Sequence, residues 1–134
     1  MDLTFANCFD LTDVTFAEGS ALFLMGIGAF YKTSVTSLHI PASVKVIFDQ
    51  AFYECAALTA ITFAEDSALK LIGDAAFEET GVTSLHFPSS LVRLGNEAFQ
   101  DCKDLKNITF AEGSALQSIG DYAFDDRSAL TAIT

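Results

Sequence analysis

Phenylalanine recurs along the chain at two alternating intervals, and this recurrence is the strongest pattern among the hydrophobic positions. Successive anchors lie 25, 22, 25, 22 and 25 residues apart, at Phe5, Phe30, Phe52, Phe77, Phe99 and Phe124. A fixed period of this length is typical of a repeat architecture, in which each repeat is one structural unit. The full period is a 47-residue pair of units, one of 25 and one of 22 residues.

Other apolar positions keep the same phase as the phenylalanines. One column contains Leu11, Val35, Leu58, Val82, Leu105 and Leu130, and a second contains Val14, Leu38, Ile61, Leu85, Ile108 and Ile133. A single unit cannot bury its own apolar edge, so like residues must stack on those of neighbouring units. The sequence therefore predicts a solenoid of about six coils in one domain that spans residues 1–134.

Within a coil, the order of apolar and polar residues predicts one strand and one turn. Ile61 and Phe63 lie two apart with a polar residue between them, which is the period of a strand with one buried face. Stacked strands give a parallel β-sheet, and Pro41 and Pro88 end the strand in alternate coils because proline has no amide to donate. An Asx residue such as Asp74 stands just before the Ala-Phe pair in four coils, where its side chain can cap a short helical turn. We expect a right-handed stack of coils with a parallel sheet on one face and short helical turns or irregular segments on the other.

The complete repeat frame resembles that of a known family. It follows the pattern Leu-x-x-Ile-Gly-x-x-Ala-Phe-x-x-Cys-x-x-Leu-x-x-Ile-x-Phe/Ile-Pro, as in the segment that begins at Leu69, and it recurs six times in phase over essentially the whole chain. This pattern is similar to that of the BspA-like, or Treponema-type, leucine-rich repeat proteins. Phe48, which stands where other coils have glycine, is a departure from it. The resemblance implies a leucine-rich-repeat solenoid, a location at the cell surface or outside the cell, and a role in adhesion or protein binding.

The outward positions of the strands are the candidate binding residues. They alternate with the inward apolar residues and are mostly small and polar, so they would form a flat, accessible face. These predicted recognition positions are Asp13, Thr15, Ser37, His39, Ala60, Thr62, Ser84, His86, Asn107 and Thr109. A protein partner is the expected ligand. The alternative is a structural spacer, which sets the distance between other domains and binds nothing specifically.

Composition narrows the choice of partner. The 18 acidic and 7 basic residues give a net charge of −11, which repels the phosphates of nucleic acids and the headgroups of anionic lipids. The longest apolar run, from Ala21 to Phe30, is about half of the ~20 residues that cross a bilayer. We therefore expect neither nucleic-acid binding nor membrane insertion.

The histidines and carboxylates, which could act in catalysis or bind a metal, recur at equivalent repeat positions and form no separate polar cluster in the sequence. His39 and His86 are 47 residues apart and have threonine at the equivalent position of other coils, so a catalytic triad is not expected. Carboxylates recur in two columns, but no dense loop of oxygen ligands for calcium is present. The columns contain Glu18, Glu65 and Glu112, and Glu54, Glu79, Asp101 and Asp126. The sequence predicts no enzyme, no metal site and no cofactor.

The cysteines also follow the repeat. Cys8, Cys55 and Cys102 are spaced 47 residues apart, hence two coils apart in one column. With ~4.8 Å per strand step their Cα atoms would lie about 10 Å apart, beyond the ~7 Å that a disulfide tolerates. Thr33 and Thr80 hold the same place in the coils between them. We expect three reduced, buried thiols that serve packing.

The outermost coils carry no polar capping segment. Apolar residues near Phe5 and Leu11 at one end, and near Leu130 and Ile133 at the other, are expected to be exposed. Open ends of a solenoid invite pairing with another chain. The sequence is therefore interpreted as an excerpt of a longer array, or as a stack covered end-on by a second copy or a partner.

Overall fold

The chain folds as a stack of coils in which every strand runs parallel to its neighbours, and the predicted solenoid is confirmed. The computed structural model describes residues 2–125 and 130–134. The strands are β1 Leu24–Met25, β2 Ser37–Ile40, β3 Val46–Ile47, β4 Ala60–Phe63, β5 Leu71–Ile72, β6 Ser84–Phe87, β7 Arg93–Leu94, β8 Asn107–Phe110, β9 Ser118–Ile119 and β10 Ala132–Ile133. The described residues contain no helix, and so none that is long and apolar enough to cross a membrane.

The four-residue strands β2, β4, β6 and β8 carry the predicted alternation of buried and exposed residues. In β2, Leu38 and Ile40 are buried whereas Ser37 and His39 are exposed. Neighbouring strands pair at equivalent repeat positions, so that His39 lies beside Thr62. This register places each outward residue in a row with its equivalents.

The two-residue strands form a second, continuous sheet in the order β1-β3-β5-β7-β9, which marks about five turns of the solenoid. They come from the Leu-x-x-Ile-Gly segment, in which Ile47, Ile72 and Leu94 are buried. The sequence analysis expected one strand in each coil, with short helical turns or irregular segments on the opposite face, and predicted no strand in this segment. The strands form because stacking brings equivalent backbone segments side by side, even where only two residues of each coil are extended.

Stacked phenylalanine rings run through the core that the two kinds of strand share. Successive rings from Phe5 to Phe124 lie 5.0–5.8 Å apart between centroids, with interplanar angles from 1° to 20°. Phe52, Phe77 and Phe99 are fully buried. Aromatic pairs at this separation contribute ~0.5–1.5 kcal/mol beyond the burial of their area. The predicted phenylalanine column is therefore confirmed as a central element of the core.

The turns that contain these phenylalanines are not helical, so the predicted short helical turns are wrong. In the first five of these turns, two residues four apart have positive φ; in one turn they are Gln50 at 56° and Glu54 at 55°. Residues in the left-handed region interrupt a helical run. Alternate amides donate to the next coil instead, as the amide of Phe52 does to the carbonyl of Ala76 at 2.8 Å. Hydrogen bonds between coils thus take the place of bonds within a helix.

The Asx residues before the Ala-Phe pairs also link coils and do not cap helices. Oδ1 of Asp49 accepts a hydrogen bond from the amide of Asp74 at 2.9 Å, and Oδ1 of Asp74 accepts one from the amide of Asn96 at 2.8 Å. Oδ1 of Asn96 in turn accepts one from Asp121 at 2.9 Å. Each side chain therefore reaches forward to the equivalent residue of the next coil.

Prolines interrupt the sheet of four-residue strands at alternate contacts. Among the described strands, β2 pairs only with β4, whereas β6, β8 and β10 form a separate sheet. Between β2 and β4, the amide of Ala64 donates to the carbonyl of Ile40 at 3.1 Å and closes the ladder. Pro88 is the equivalent residue after β6, and it has no amide to donate to Phe63 of β4. Pro41 stands in the same position after β2, facing the first coil.

Candidate interaction face

Eight of the ten predicted recognition residues lie on the four-residue strands, and pairing brings them together in rows. The pairs are Ser37 with Ala60, His39 with Thr62, Ser84 with Asn107, and His86 with Thr109. All eight are exposed except Thr109, which is half-buried. Asp13 and Thr15 are exposed but lie outside any strand, so the structure does not bring them into these rows. We call the eight paired residues the strand face.

Each histidine of the strand face shares a hydrogen bond with the threonine beside it. Nδ1 of His39 lies 2.9 Å from Oγ1 of Thr62, and Nδ1 of His86 lies 2.7 Å from Oγ1 of Thr109. Each ring is therefore held by a hydrogen bond to the paired strand. Among the residues that the structure describes, no carboxylate hydrogen-bonds to either imidazole, an interaction that a catalytic triad requires.

Two grooves open beside the strand face where proline interrupts the sheet, and the sequence analysis missed both. The first groove has a volume of about 970 Å³ and its lining includes Phe16, Ala17, Glu18, His39, Pro41 and Ala64. The second groove has a volume of about 400 Å³ and its lining includes Phe63, Ala64, Glu65, His86, Pro88 and Ala111. Each of these residues of the second groove stands 47 positions after its counterpart in the first. The recurrence of proline at 47 residues was the signal in the sequence that could have revealed them.

The phenylalanine turns carry a column of stacked tyrosines and an ion pair. The rings of Tyr31 and Tyr53 are 5.4 Å apart between centroids and nearly parallel. Nζ of Lys32 lies 3.0 Å from a carboxylate oxygen of Glu54, and this hydrogen bond raises the pKa of Lys32. Such a solvated pair contributes little to stability.

Further along the same turns the column becomes acidic. Glu78 occupies the position of Tyr53 one coil on and is half-buried. Burial, followed by the charges of Glu97 and Glu79, raises the pKa of Glu78 to about 7. Within residues 2–125 and 130–134, no group of three or more His, Cys, Asp or Glu side chains is placed to hold a metal ion. Asp126, the last member of the predicted carboxylate column, lies outside the described residues.

The cysteine column is buried in two of its three positions. All three cysteines are thiols; Cys55 and Cys102 are buried as expected, whereas the prediction of burial is wrong for Cys8, which is exposed. Cys8 lies on the first coil, and among the described residues this coil contacts a neighbouring coil on one side. Sγ of Cys55 donates to the carbonyl of Phe30 at 3.0 Å, and Oγ1 of Thr33 lies 3.4 Å from the same sulfur. Burial raises the pKa of Cys55, so this thiol is poorly suited to act as a nucleophile.

Comparison with solved structures finds the same architecture in longer bacterial proteins. The crystal structure of a leucine-rich repeat protein from Bacteroides ovatus ATCC 8483 aligns with a TM-score of 0.75 and 30% identity, over 90% of this chain and 30% of that one. The pneumococcal vaccine antigen PcpA aligns with a TM-score of 0.64 and 22% identity, over 89% of this chain and 44% of that one. This chain thus spans less than half the length of either protein.

Comparison with models of known protein families gives a match that covers nearly every residue of the chain. A search of curated protein sequences gave no match. The BspA type leucine rich repeat region, in contrast, matches in six copies over residues 2–66 and 24–134. These copies agree with the columns of phenylalanine, leucine and isoleucine that stack in the core. The chain therefore belongs to the BspA-type leucine-rich repeat family.

Proposed function

We propose that this chain is an interaction module, of the kind used in adhesion, and that the strand face binds a protein partner. The register of the strands carries this proposal, because it exposes equivalent polar side chains in rows on a hydrogen-bonded backbone. Leucine-rich repeat proteins generally act in protein–protein interaction or adhesion. Stacked repeats also offer the extended surface that such binding uses.

The chemistry of the strand face suits recognition of another protein surface. Serine, threonine and asparagine both donate and accept hydrogen bonds, and their short side chains lose little conformational entropy on binding. The bond between His39 and Thr62 already orders the largest side chain of its row. Binding of this kind needs no metal, cofactor or reaction step. The net charge of −11 favours a partner with a basic surface over nucleic acid.

Asp13 and Thr15 stay part of the proposed binding surface, although they lie outside the paired rows. Both are exposed on the first coil, and Thr15 also lines the first groove. A location at the cell surface or outside the cell fits an adhesive role. The second candidate function is that of a spacer, in which the regular stack sets a distance and the strand face contacts nothing.

Matched alanine variants separate the two functions. The test variant carries His86→Ala and Asn107→Ala on the strand face, and the control carries Arg93→Ala and Gln117→Ala at exposed positions on and beside the strands of the second sheet. Each protein is immobilised, and proteins retained from the source organism are identified by quantitative mass spectrometry. The Kd of each retained protein is then measured with purified components.

A recognition face predicts a partner whose Kd rises at least about tenfold for the test variant and stays unchanged for the control, since hydrogen bonds at a buried interface are lost. Equal retention by wild type and both variants would favour the spacer.

A further inference from the structure

The two grooves share equivalent lining residues, although the first groove is the larger. Each is lined by one phenylalanine and one proline, Phe16 and Pro41 in the first groove and Phe63 and Pro88 in the second, and both phenylalanines are partly buried and also pack against the core. No strand ladder closes them, since the proline has no amide to donate, and the histidine of each groove, His39 or His86, lines it while its ring is hydrogen-bonded to the threonine of the paired strand. Each groove is therefore an open apolar site beside the strand face.

The acidic residues at the grooves select the charge of a ligand. Glu18 and Asp66 line the first groove and Glu65 lines the second. Among the described residues that line either groove, none is a lysine or an arginine. A ligand that places a cationic side chain in each groove is thus favoured by charge complementarity.

The distance between the grooves selects the conformation of a ligand. The grooves are related by two coils, and at ~4.8 Å for each strand step they lie about 10 Å apart along the stack. A polyproline II segment repeats every three residues at ~3.1 Å per residue, so equivalent side chains recur every ~9 Å. In an extended β-strand, side chains on one face recur about every 7 Å, which does not match the spacing of the grooves. The polyproline II period matches the period of the grooves.

We propose that the two grooves bind an extended, proline-rich basic peptide in which a lysine or arginine recurs at every third residue. The prolines pack on the phenylalanine and the proline of each groove, as polyproline II ligands do in other aromatic-lined grooves. Each cationic side chain lies beside the carboxylate of its groove, Glu18 in the first and Glu65 in the second. This inference rests on the proposed interaction function and specifies the chemistry of the partner.

Fluorescence anisotropy with two labelled peptides tests the period. The probe is a four-fold repeat of Pro-Pro-Lys, and the reference peptide has the same composition with its lysines grouped at one end. The wild-type chain should bind the probe at least about tenfold more tightly than the reference, because only the probe reaches both grooves at once. Equal affinity for the two peptides, or no binding of the probe, overturns the proposal.

Paired variants test the place of binding. Glu18→Gln with Glu65→Gln removes one carboxylate from each groove, whereas Glu79→Gln with Asp101→Asn removes two charges outside them. The first pair should weaken probe binding at least about tenfold and the second should leave it nearly unchanged. Equal weakening by both pairs would mean attraction to the overall charge and would overturn the proposal.

A third variant closes one groove without removing a charge. Pro88→Ala restores an amide opposite Phe63 and allows β4 and β6 to pair. Probe binding should then fall to the single-groove level, and circular dichroism verifies that the variant is folded. If all the peptide tests fail, this proposal is wrong. The partner assay with His86→Ala and Asn107→Ala still tests the proposed interaction function independently.

Discussion

The cysteine and threonine column shows how one repeat position is satisfied by two different residues. Sγ of Cys102 donates to the carbonyl of Phe77 at 3.3 Å, and Oγ1 of Thr80 donates to the same carbonyl at 2.9 Å. Both side chains are buried, so both polar groups need a partner inside the core. A small group that donates one hydrogen bond therefore fits this column, whether it is a thiol or a hydroxyl.

Exposure of the cysteines predicts their reactivity with a thiol reagent. Native protein should show one fast-reacting thiol, Cys8, and denatured protein should show all 3, because Cys55 and Cys102 are buried. Spectrophotometric titration before and after denaturation counts them. In Cys8→Ser the fast thiol should disappear. Two or three fast thiols in native wild-type protein would contradict the buried column.

Glu78 predicts how stability changes with pH. Its folded pKa of about 7 lies above the ordinary value of 4.5, since burial and neighbouring carboxylates disfavour the ionised form. This contribution to stability is present below pH 4.5 and is lost as pH rises toward 7. Glu78→Gln should therefore gain stability over wild type across that window, as measured by the midpoint of urea denaturation. The gain should be modest because water screens a half-buried group.

A variant at a solvated carboxylate serves as the control for Glu78. Glu112 is exposed in the turn after β8, and Glu112→Gln should follow the wild-type pH profile closely. A difference between Glu78→Gln and wild type that stays constant from pH 4.5 to 7 would contradict the assigned titration.

At the scale of the element, the two kinds of strand differ in how they continue from coil to coil. The two-residue strands pair without a break because no proline stands in them. The four-residue strands are interrupted wherever proline replaces the residue that closes the ladder. The break between β4 and β6 thus coincides with proline at one position of the 47-residue period, where proline has no amide to donate.

Exchanging proline and alanine at this position tests its effect on pairing. Ala64→Pro removes the amide that donates to Ile40 and should lower the free energy of unfolding by about 1–3 kcal/mol. Pro88→Ala should leave stability nearly unchanged, since a new hydrogen bond offsets the greater freedom of the unfolded chain. Urea denaturation measures both. Hydrogen exchange should also show a protected amide at residue 88, and a fully exchanging amide there would contradict the assigned cause.

At the scale of the whole molecule, apolar side chains are exposed mainly on the outermost coils. Leu3 is 59% exposed and Phe9 64% exposed on the first coil, and Ile133 is 59% exposed on the last. In the interior coils the equivalents of Phe5 and Ile133, such as Phe52 and Ile108, are buried, whereas the equivalents of Leu3 and Phe9, such as Gln50 and Ala56, are exposed there too. The stability of such stacks is roughly a sum of the interfaces between neighbouring coils. The predicted exposure of Phe5 and Ile133 is therefore confirmed, whereas Leu11 and Leu130 are half-buried.

Because these apolar surfaces are exposed, we propose that two copies of the chain associate end to end. The end coil of one copy would then cover the end coil of the other, as a neighbouring coil does within the stack. Sedimentation velocity should show an average mass that rises with concentration at about 10–100 micromolar. Phe9→Ser with Ile133→Ser should reduce this rise, because both apolar contacts are lost. A strictly monomeric wild-type species over the whole range would contradict the proposal.

Much of the fold follows from the sequence because periodic positions must stack. The spacing of Phe52 and Phe77 placed their rings in one column, and the alternation in β2 placed Leu38 inward and His39 outward. Both conclusions need only the order of residues and the rule that like positions lie together. The same reasoning located the strand face by residue number, while its binding role stays a prediction.

Other features depend on geometry that a linear pattern does not contain. Gln50 and Glu54, which have left-handed backbone conformations, are residue types of high helix propensity. Their segment is not helical because its alternate amides donate hydrogen bonds to the next coil instead. The bond between His39 and Thr62 and the exposure of Cys8 likewise depend on which coils meet and at what register.

The sequence by itself determined the period, the stacked core and the family, because these rest on residue identity at repeated positions. Tertiary structure alone decided the form of the turns, the division of the sheet and the presence of the two grooves. The physical reason is that each of these depends on whether a backbone amide finds its acceptor in the neighbouring coil. Pro41 and Pro88 remove that donor in the sequence, but only the stacked coils show which acceptor is left without it.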